Sequence, residues 1–164
     1  MFAHKNRKDS EVTLVTGHCG AGDLKQALFG LLMAVYYLDT SILLDYYERR
    51  GINGRHAFGL IRKIIAFGHI ILFSDLHTQE LRQLGYSMDE IYSLLRPFKP
   101  ALRTVHIQKS QLSEASFIAS RHRIPRRDAL HAILARDNSA VLVATDRHFE
   151  QIRHICESRR PEEI

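Results

Sequence analysis

Hydrophobic residues follow two different periods along the chain. Four short runs are apolar on both faces, which is typical of strands in a buried parallel sheet. These runs lie at residues 35–38, 70–73, 104–107 and 141–144. Between the runs, apolar residues recur at the i, i+3, i+4 spacing of amphipathic helices, and helices are predicted over 57–65, 112–119 and 126–136. Strands that alternate with helices predict an α/β fold.

The domain boundary follows from the position of the first strand. The 164 residues fit a single domain, whose usual length is about 100–200 residues. Turn-like sequences at 51–54 and 97–100 are short, so no linker is predicted within the domain. Met33 directly precedes the first strand, and we interpret residues 1–32 as an N-terminal extension and residues 33–164 as the domain. One hypothesis is that Met33 is the true start and that residues 1–32 lie upstream of it; peptides from residues 1–32 in a mass spectrum of the native protein would contradict this hypothesis.

The extension contains a glycine-rich stretch at residues 17–22 with the glycine spacing of a phosphate-binding loop. Such a loop requires Lys and then Ser or Thr after the second glycine, to reach the phosphates and the metal. Asp23 and Leu24 occupy those two positions, and an acidic side chain there repels phosphate. An ordinary turn is therefore favoured over a nucleotide-binding loop.

The charge of the chain favours a polyanionic partner. The formal net charge is +5, and all of it arises in residues 96–164, which carry 13 basic and 8 acidic side chains. Five arginines from this half are predicted to grip the phosphates of a nucleic acid. They are Arg121, Arg123, Arg126, Arg127 and Arg147. For any one of these arginines alone, a charged turn that contacts only solvent is an equally good explanation as phosphate contact.

Cysteine content and hydropathy predict a cytoplasmic protein without a membrane segment. Cys19 and Cys156 are the only cysteines and do not form a C-x-x-C motif, which suits a reducing compartment. The longest apolar run, at residues 27–38, has 12 residues, whereas a membrane span needs roughly 18 or more. Acidic residues at positions 9 and 11 argue against a signal peptide.

Four carboxylates fall where the predicted strands end or the next helix begins. Asp39 ends the first run and Asp146 follows the last, while Glu80 lies about two turns into the helix after the second run and Asp128 lies just after Pro125. Each one alone is explained as a helix cap or a solvated acid. Together at the carboxyl ends of a parallel sheet they would repel one another unless a cation such as Mg²⁺ or Mn²⁺ lay among them.

Four segments resemble, in order and spacing, the PIN-domain ribonucleases, which include the VapC toxins. These segments are YLDTS at 37–41, SDL at 74–76 with EL at 80–81, RDALHA at 127–132 and VLVATDRHF at 141–149. The resemblance runs from about residue 35 to the end of the chain, roughly four-fifths of its length. It identifies residues 33–164 as a PIN domain.

The resemblance implies a PIN-like (flavodoxin-like) three-layer α/β sandwich, with a five-stranded parallel sheet of order 3-2-1-4-5 flanked by helices. Asp39, Glu80, Asp128 and Asp146 match the acidic quartet that binds Mg²⁺ or Mn²⁺ in this family. Thr40 and Ser41 match the small hydroxyl residues that follow its first acid. The first, third and fourth acids are expected to bind metal directly or through water, and the second to bind metal or to position a water.

One departure from the family pattern concerns the residue two before the last acid, which is often Thr or Ser. This chain has Ala144 there, and Thr145 next to the acid substitutes for it in part. The resemblance nevertheless implies an endoribonuclease that leaves 5′-phosphate and 3′-hydroxyl ends. It further implies a homodimer and the toxin role of a toxin–antitoxin pair, with an antitoxin protein as partner.

Two other functions remain open at this stage. The first is a PIN-like module that binds RNA without cutting it, for which Ala144 is the only hint. The second is a phosphate-binding protein that acts through residues 17–22. The ten histidines lack the spacing of a zinc site, and for His131 packing or a local hydrogen bond is favoured over contact with the acids. A Ser-His-Asp hydrolase has little support because no G-x-S-x-G motif is present.

Overall fold

One parallel β-sheet organises the domain. The computed structural model describes residues 33–164, so the predictions for residues 1–32, including the glycine-rich stretch and Cys19, lie outside the described residues. Five parallel strands pair in the order β3-β2-β1-β4-β5, which confirms the predicted fold class. They are β1 (Val35–Leu38), β2 (Ile70–Ser74), β3 (Leu102–Val105), β4 (Val141–Val143) and β5 (Ser158–Arg159).

Helices cover both faces of the sheet and make three layers. The α-helices are α1 (Thr40–Glu48), α2 (Gly51–Ala66), α3 (Asp75–Gln83), α4 (Met88–Leu95), α5 (Lys109–His122) and α6 (Arg126–Asp137). Short 3₁₀-helices follow at Arg96–Ala101, Arg147–Ile152 and Pro161–Glu163. Because strand side chains alternate, Tyr36 packs with α1, α2 and α4 on one face, while Tyr37 packs with α5 and α6 on the other. None of the helices in this part of the chain is long and apolar enough to cross a membrane.

Two predicted boundaries were wrong. The third strand begins at Leu102, two residues earlier than predicted, and ends before Ile107, whose backbone N–H donates to the Asp75 carboxylate instead of a neighbouring strand. Residues 51–54, predicted as a turn, form the first turn of α2. The reversal before α2 needs only two residues because Arg49 adopts a left-handed conformation with φ of 56°.

The strand order places a crevice at the carboxyl end of β1. The chain adds β2 and then β3 on one side of β1, and it crosses to the other side to add β4 and β5. In open parallel sheets, ligands bind at the carboxyl ends of the strands where the order reverses in this way. The backbone N–H of Asp39 donates to the Val143 carbonyl at 2.8 Å and joins the two strand ends at this point.

Candidate active site

The four predicted acids lie at this end of the sheet, each on a different element. Asp39 caps α1, Glu80 lies on α3, Asp128 lies in the first turn of α6, and Asp146 caps the 3₁₀-helix after β4. The side chains of the first three are only 12–18% exposed, whereas that of Asp146 is 51% exposed. The pocket formed by these four acids is therefore deep at three of its acids and open at the fourth.

His131 holds the deeper pair of acids, Asp39 and Glu80. Its Nε2 atom lies 2.9 Å from Oε2 of Glu80 and 3.4 Å from Oδ1 of Asp39. The hydroxyl of Thr40 also donates to Oε2 of Glu80, and the hydroxyl of Ser41 donates to Oδ2 of Asp39 at 2.5 Å. The sequence-based preference for a local role of His131 was wrong, because the residue joins two acids from distant parts of the chain.

His148 joins the more exposed pair, Asp128 and Asp146. Its Nδ1 atom lies 2.8 Å from Oδ2 of Asp128 and 3.1 Å from Oδ1 of Asp146. The backbone N–H of His148 donates to the same Asp146 oxygen at 2.9 Å. Each pair of acids is thus bridged by one histidine, and sequence analysis identified neither histidine as part of the site.

The electrostatics of the pocket follow from burial and from these pairings. Burial works to raise the pKa of Glu80, but the hydrogen bond and charge of His131, together with the Thr40 hydroxyl, leave it below its ordinary value. Burial works to lower the pKa of His131, but the hydrogen bond to Glu80 and the charge of Asp39 raise it above its ordinary value. Burial raises the pKa of Asp128, and the negative charges of Asp39 and Asp146 add to this effect.

The open side of the pocket has the donor set of a divalent cation site. One ligand atom each from Asp128, Asp146 and His148 can be chosen so that all three lie within 4.8 Å of one another. Carboxylate oxygens are the preferred ligands of Mg²⁺ and Mn²⁺, and imidazole nitrogen suits the transition metals. Within residues 33–164, no hydrogen bond reaches Oδ1 of Asp128 or Oδ2 of Asp146, so each acid retains an oxygen for a ligand.

Comparison with known proteins identifies the family of this chain. The family model described as the PIN domain matches residues 36–155. This chain belongs to the PIN domain family. PIN domains are generally nucleases. No curated protein matches the sequence.

A solved structure supports the fold assignment of this PIN domain. The fold of this protein is similar to that of a chain in the crystal structure of VapBC2 from Rickettsia felis bound to a DNA fragment from their promoter. The two chains are 17% identical with a TM-score of 0.55, and the match covers 76% of this chain and 95% of that chain. At this identity the likeness shows the fold.

Ala144 and Thr145, the two residues before Asp146, lie in different environments. Ala144 is buried and packs in the core between the sheet and α6 of this PIN domain. Thr145 lines a polar cavity of about 400 Å³ beside Asp146. Within residues 33–164, its hydroxyl makes no hydrogen bond to any of the four acids, unlike the hydroxyls of Thr40 and Ser41.

The five arginines are all exposed, at the end of α5, at the start of α6 and after β4 of the PIN domain. Arg127 reaches from α6 to the side chain of Gln83 on α3, the helix that carries Glu80. Arg126 donates to the backbone carbonyl of Leu112 at 3.3 Å. In the described part of the chain none of the five forms a salt bridge, so their charges are available to an anionic ligand.

Proposed function

We propose that this PIN domain is a metal-dependent endoribonuclease that hydrolyses RNA to fragments with 5′-phosphate and 3′-hydroxyl ends. The observation that carries the proposal is the convergence of four acids from four elements in one pocket, beside exposed arginines without acidic partners. Acids without arginines would repel RNA, and arginines without acids would bind RNA without a means of cutting it.

In this proposal the cation is Mg²⁺ or Mn²⁺. Asp128, Asp146 and His148 would hold it, and Asp39 would contribute directly or through a water. When bound, such a cation supplies an activated water and neutralises the charge that develops on the phosphate. No nucleophile from the protein is required.

The remaining residues orient the reactants. His131 and the Thr40 hydroxyl offset the burial of Glu80 and leave its pKa below the ordinary value, and in this proposal Glu80 would hold the attacking water and accept its proton. The water oxygen bonds to phosphorus while the bond from phosphorus to the 3′ oxygen breaks, which leaves the phosphate on the 5′ end. The departing 3′ oxygen takes a proton from solvent. The arginines hold the flanking phosphates.

Removal of the cation is expected to abolish cleavage. A labelled single-stranded RNA incubated with the protein should be cut in Mn²⁺ or Mg²⁺ and remain intact in EDTA. The cut ends should be substrates for ligation as 5′-phosphate and 3′-hydroxyl, because water attacks the phosphorus and the bond from phosphorus to the 3′ oxygen breaks. Cleavage that persists in EDTA, or 2′,3′-cyclic phosphate ends, would contradict the mechanism. RNA that binds but stays intact in every metal would establish the alternative, a non-cleaving RNA-binding module.

Loss of two arginines at the start of α6 is expected to weaken RNA binding and flatten its salt dependence. Each phosphate contact to a single strand contributes about 0.7 to the slope of log affinity against log salt. The double variant Arg126→Ala, Arg127→Ala should bind RNA more weakly at low salt. Its salt slope should be smaller by the contribution of about one to two such contacts. Binding is measured by fluorescence anisotropy at several salt concentrations.

The matched control removes the same charge from another layer of the domain. Arg62 and Lys63 are exposed on α2, which packs on the opposite face of the sheet from α6. The variant Arg62→Ala, Lys63→Ala should retain the salt slope of the native chain. Equal slopes for both double variants would show that net charge, and not the α6 arginines, governs binding.

We further propose that the protein is the toxin of a toxin–antitoxin pair, acts in the cytoplasm as a homodimer, and binds an antitoxin protein. The similar VapBC2 structure, which pairs two components on promoter DNA, supports this role. A groove of about 590 Å³ between α1, α2 and α4 offers an apolar surface for a partner. Its lining includes Tyr46, Tyr47, Phe58, Leu94 and Pro97. Growth arrest on expression, relieved by a co-expressed neighbouring gene product, is the expected result.

A further inference from the structure

A series of hydrogen-bonded, buried polar side chains lies behind the acidic pocket, and of its members only His131 enters the chemistry proposed above. Tyr37, Ser74, His77 and His131 are each at most 1% exposed and come from β1, β2, α3 and α6. Burial of so many polar groups is costly unless each is hydrogen-bonded. In the described residues, no buried side-chain nitrogen or oxygen lacks a partner.

The inner end of this series has a fixed direction. Nε2 of His77 lies 2.6 Å from the carbonyl oxygen of Leu38, which can only accept, so Nε2 carries the ring proton. Nδ1 of His77 is then an acceptor, and it receives the backbone N–H of Ser74 at 2.9 Å. The Ser74 hydroxyl, also 2.9 Å from Nδ1, can only donate to it.

Donors and acceptors can be assigned in the same way from Ser74 outward to the acidic pocket. With its proton turned to His77, the Ser74 oxygen accepts from the Tyr37 hydroxyl at 2.7 Å. The Tyr37 oxygen then accepts from Nδ1–H of His131 at 3.0 Å. The opposite ring nitrogen, Nε2, lies 2.9 Å from Oε2 of Glu80 and donates to this carboxylate. The series thus ends on one defined oxygen of one acid.

We propose that His131 is a positioning residue: its ring, locked by Tyr37, Ser74 and His77, holds the Glu80 carboxylate in the orientation that hydrolysis requires. The proposal rests on the proposed nuclease function and deepens it. With Oε2 held by His131 and Thr40, the other oxygen, Oε1, is the one left to face a water or a cation. A glutamate side chain without these bonds has several rotamers, and misplacement of a reacting group by about 1 Å can cost on the order of 10²-fold in rate.

The sharpest variant is Tyr37→Phe, because it removes one hydroxyl that contacts none of the four acids. If the hydrogen-bonded side chains behind the pocket position Glu80, Tyr37→Phe should lower kcat for RNA cleavage about tenfold. KM should stay unchanged, since RNA binding does not involve the Tyr37 hydroxyl. The control is Tyr36→Phe, the neighbouring buried tyrosine on the opposite face of the sheet, which should keep the native kcat.

Two substitutions of His131 separate positioning from packing. His131→Leu introduces an apolar side chain of similar size that fills the space but donates no hydrogen bond. The kcat of this variant should fall on the order of 10²-fold. His131→Gln restores an N–H donor toward Glu80 and should recover at least part of that loss. Native kcat in folded Tyr37→Phe, or equal kcat values for the Leu and Gln variants, would overturn the proposal.

A measurement without RNA keeps this inference separate from the nuclease function. In nuclear magnetic resonance spectra, both ring N–H protons of His131 should be visible and slow to exchange, because both are buried and donated. Tyr37→Phe should shift the Nδ1–H signal and the side-chain carboxyl carbon signal of Glu80. If the native chain cuts no RNA, the nuclease function fails. If the Glu80 signal is instead unmoved by Tyr37→Phe, the positioning role fails by itself.

Discussion

Replacement of Asp39 by asparagine is expected to reduce RNA cleavage about 10³-fold, the upper range for loss of one preorganised charged or polar group at a reacting centre. Asparagine keeps the size of the side chain and caps helices as well as aspartate does, so the bond from Ser41 to the cap of α1 survives. What is lost is one negative charge next to Glu80 and Asp128 and a ligand for the cation. The measurement is the initial rate of cleavage of a labelled RNA in saturating Mn²⁺.

The control for this substitution is Asp75→Asn. Asp75 also begins a helix directly after a strand, but its carboxylate contacts His106 and the backbone of Ile107, outside the pocket. This variant should cut RNA at the native rate. In cells, expression of the native chain should arrest growth, expression of Asp75→Asn should do the same, and Asp39→Asn should be tolerated. Full cleavage by folded Asp39→Asn in saturating metal would contradict the assignment of the four acids.

The acids could be predicted from sequence because their positions follow from chain geometry. Asp39 and Asp146 follow strands of a parallel sheet, and the carboxyl ends of such strands lie at one edge. Glu80 and Asp128 were placed by the helices on which they lie, and the family resemblance strengthened this placement, because a helix position alone does not say which neighbour it faces. The five-strand topology needed the resemblance, since β5 is only two residues long and carries no periodic pattern.

The histidines escaped prediction because their partners are distant in sequence. One signal for His131 was present in the sequence: residues 129–135 of α6 are all apolar except His131, and the structure buries all seven. A helix with no polar face inside that stretch lies within the core, and a histidine there must find a hydrogen-bond partner. The identity of the partners, Tyr37 and Glu80, depends on tertiary packing that no local pattern encodes.

Alanine at position 54 is expected to destabilise the domain strongly, in contrast to alanine at position 59 of the same helix. A Cβ atom at Gly54 would lie 2.7 Å from the carbonyl carbon of Arg49 and 2.8 Å from the carbonyl oxygen of Asp45. Both are backbone atoms, and the Asp45 oxygen already accepts the backbone N–H groups of Arg49 and Arg50 that close the turn between α1 and α2. Neither atom can move aside as a side chain would.

Relief of this overlap requires α1 and α2 to separate at their closest point, or the turn to lose its hydrogen bonds. Overpacking of this kind costs about 3 kcal/mol, the upper part of the usual range, and should lower Tm by about 10 °C in a domain of this size. At Gly59 a Cβ atom would meet nothing within 4 Å. Gly59→Ala should therefore raise stability by about 0.5–1 kcal/mol, because alanine favours the helix over the unfolded chain. The measurement is the Tm of the two variants, from thermal unfolding followed by circular dichroism. Similar Tm values would mean that α1 and α2 do not approach as closely as the structure shows.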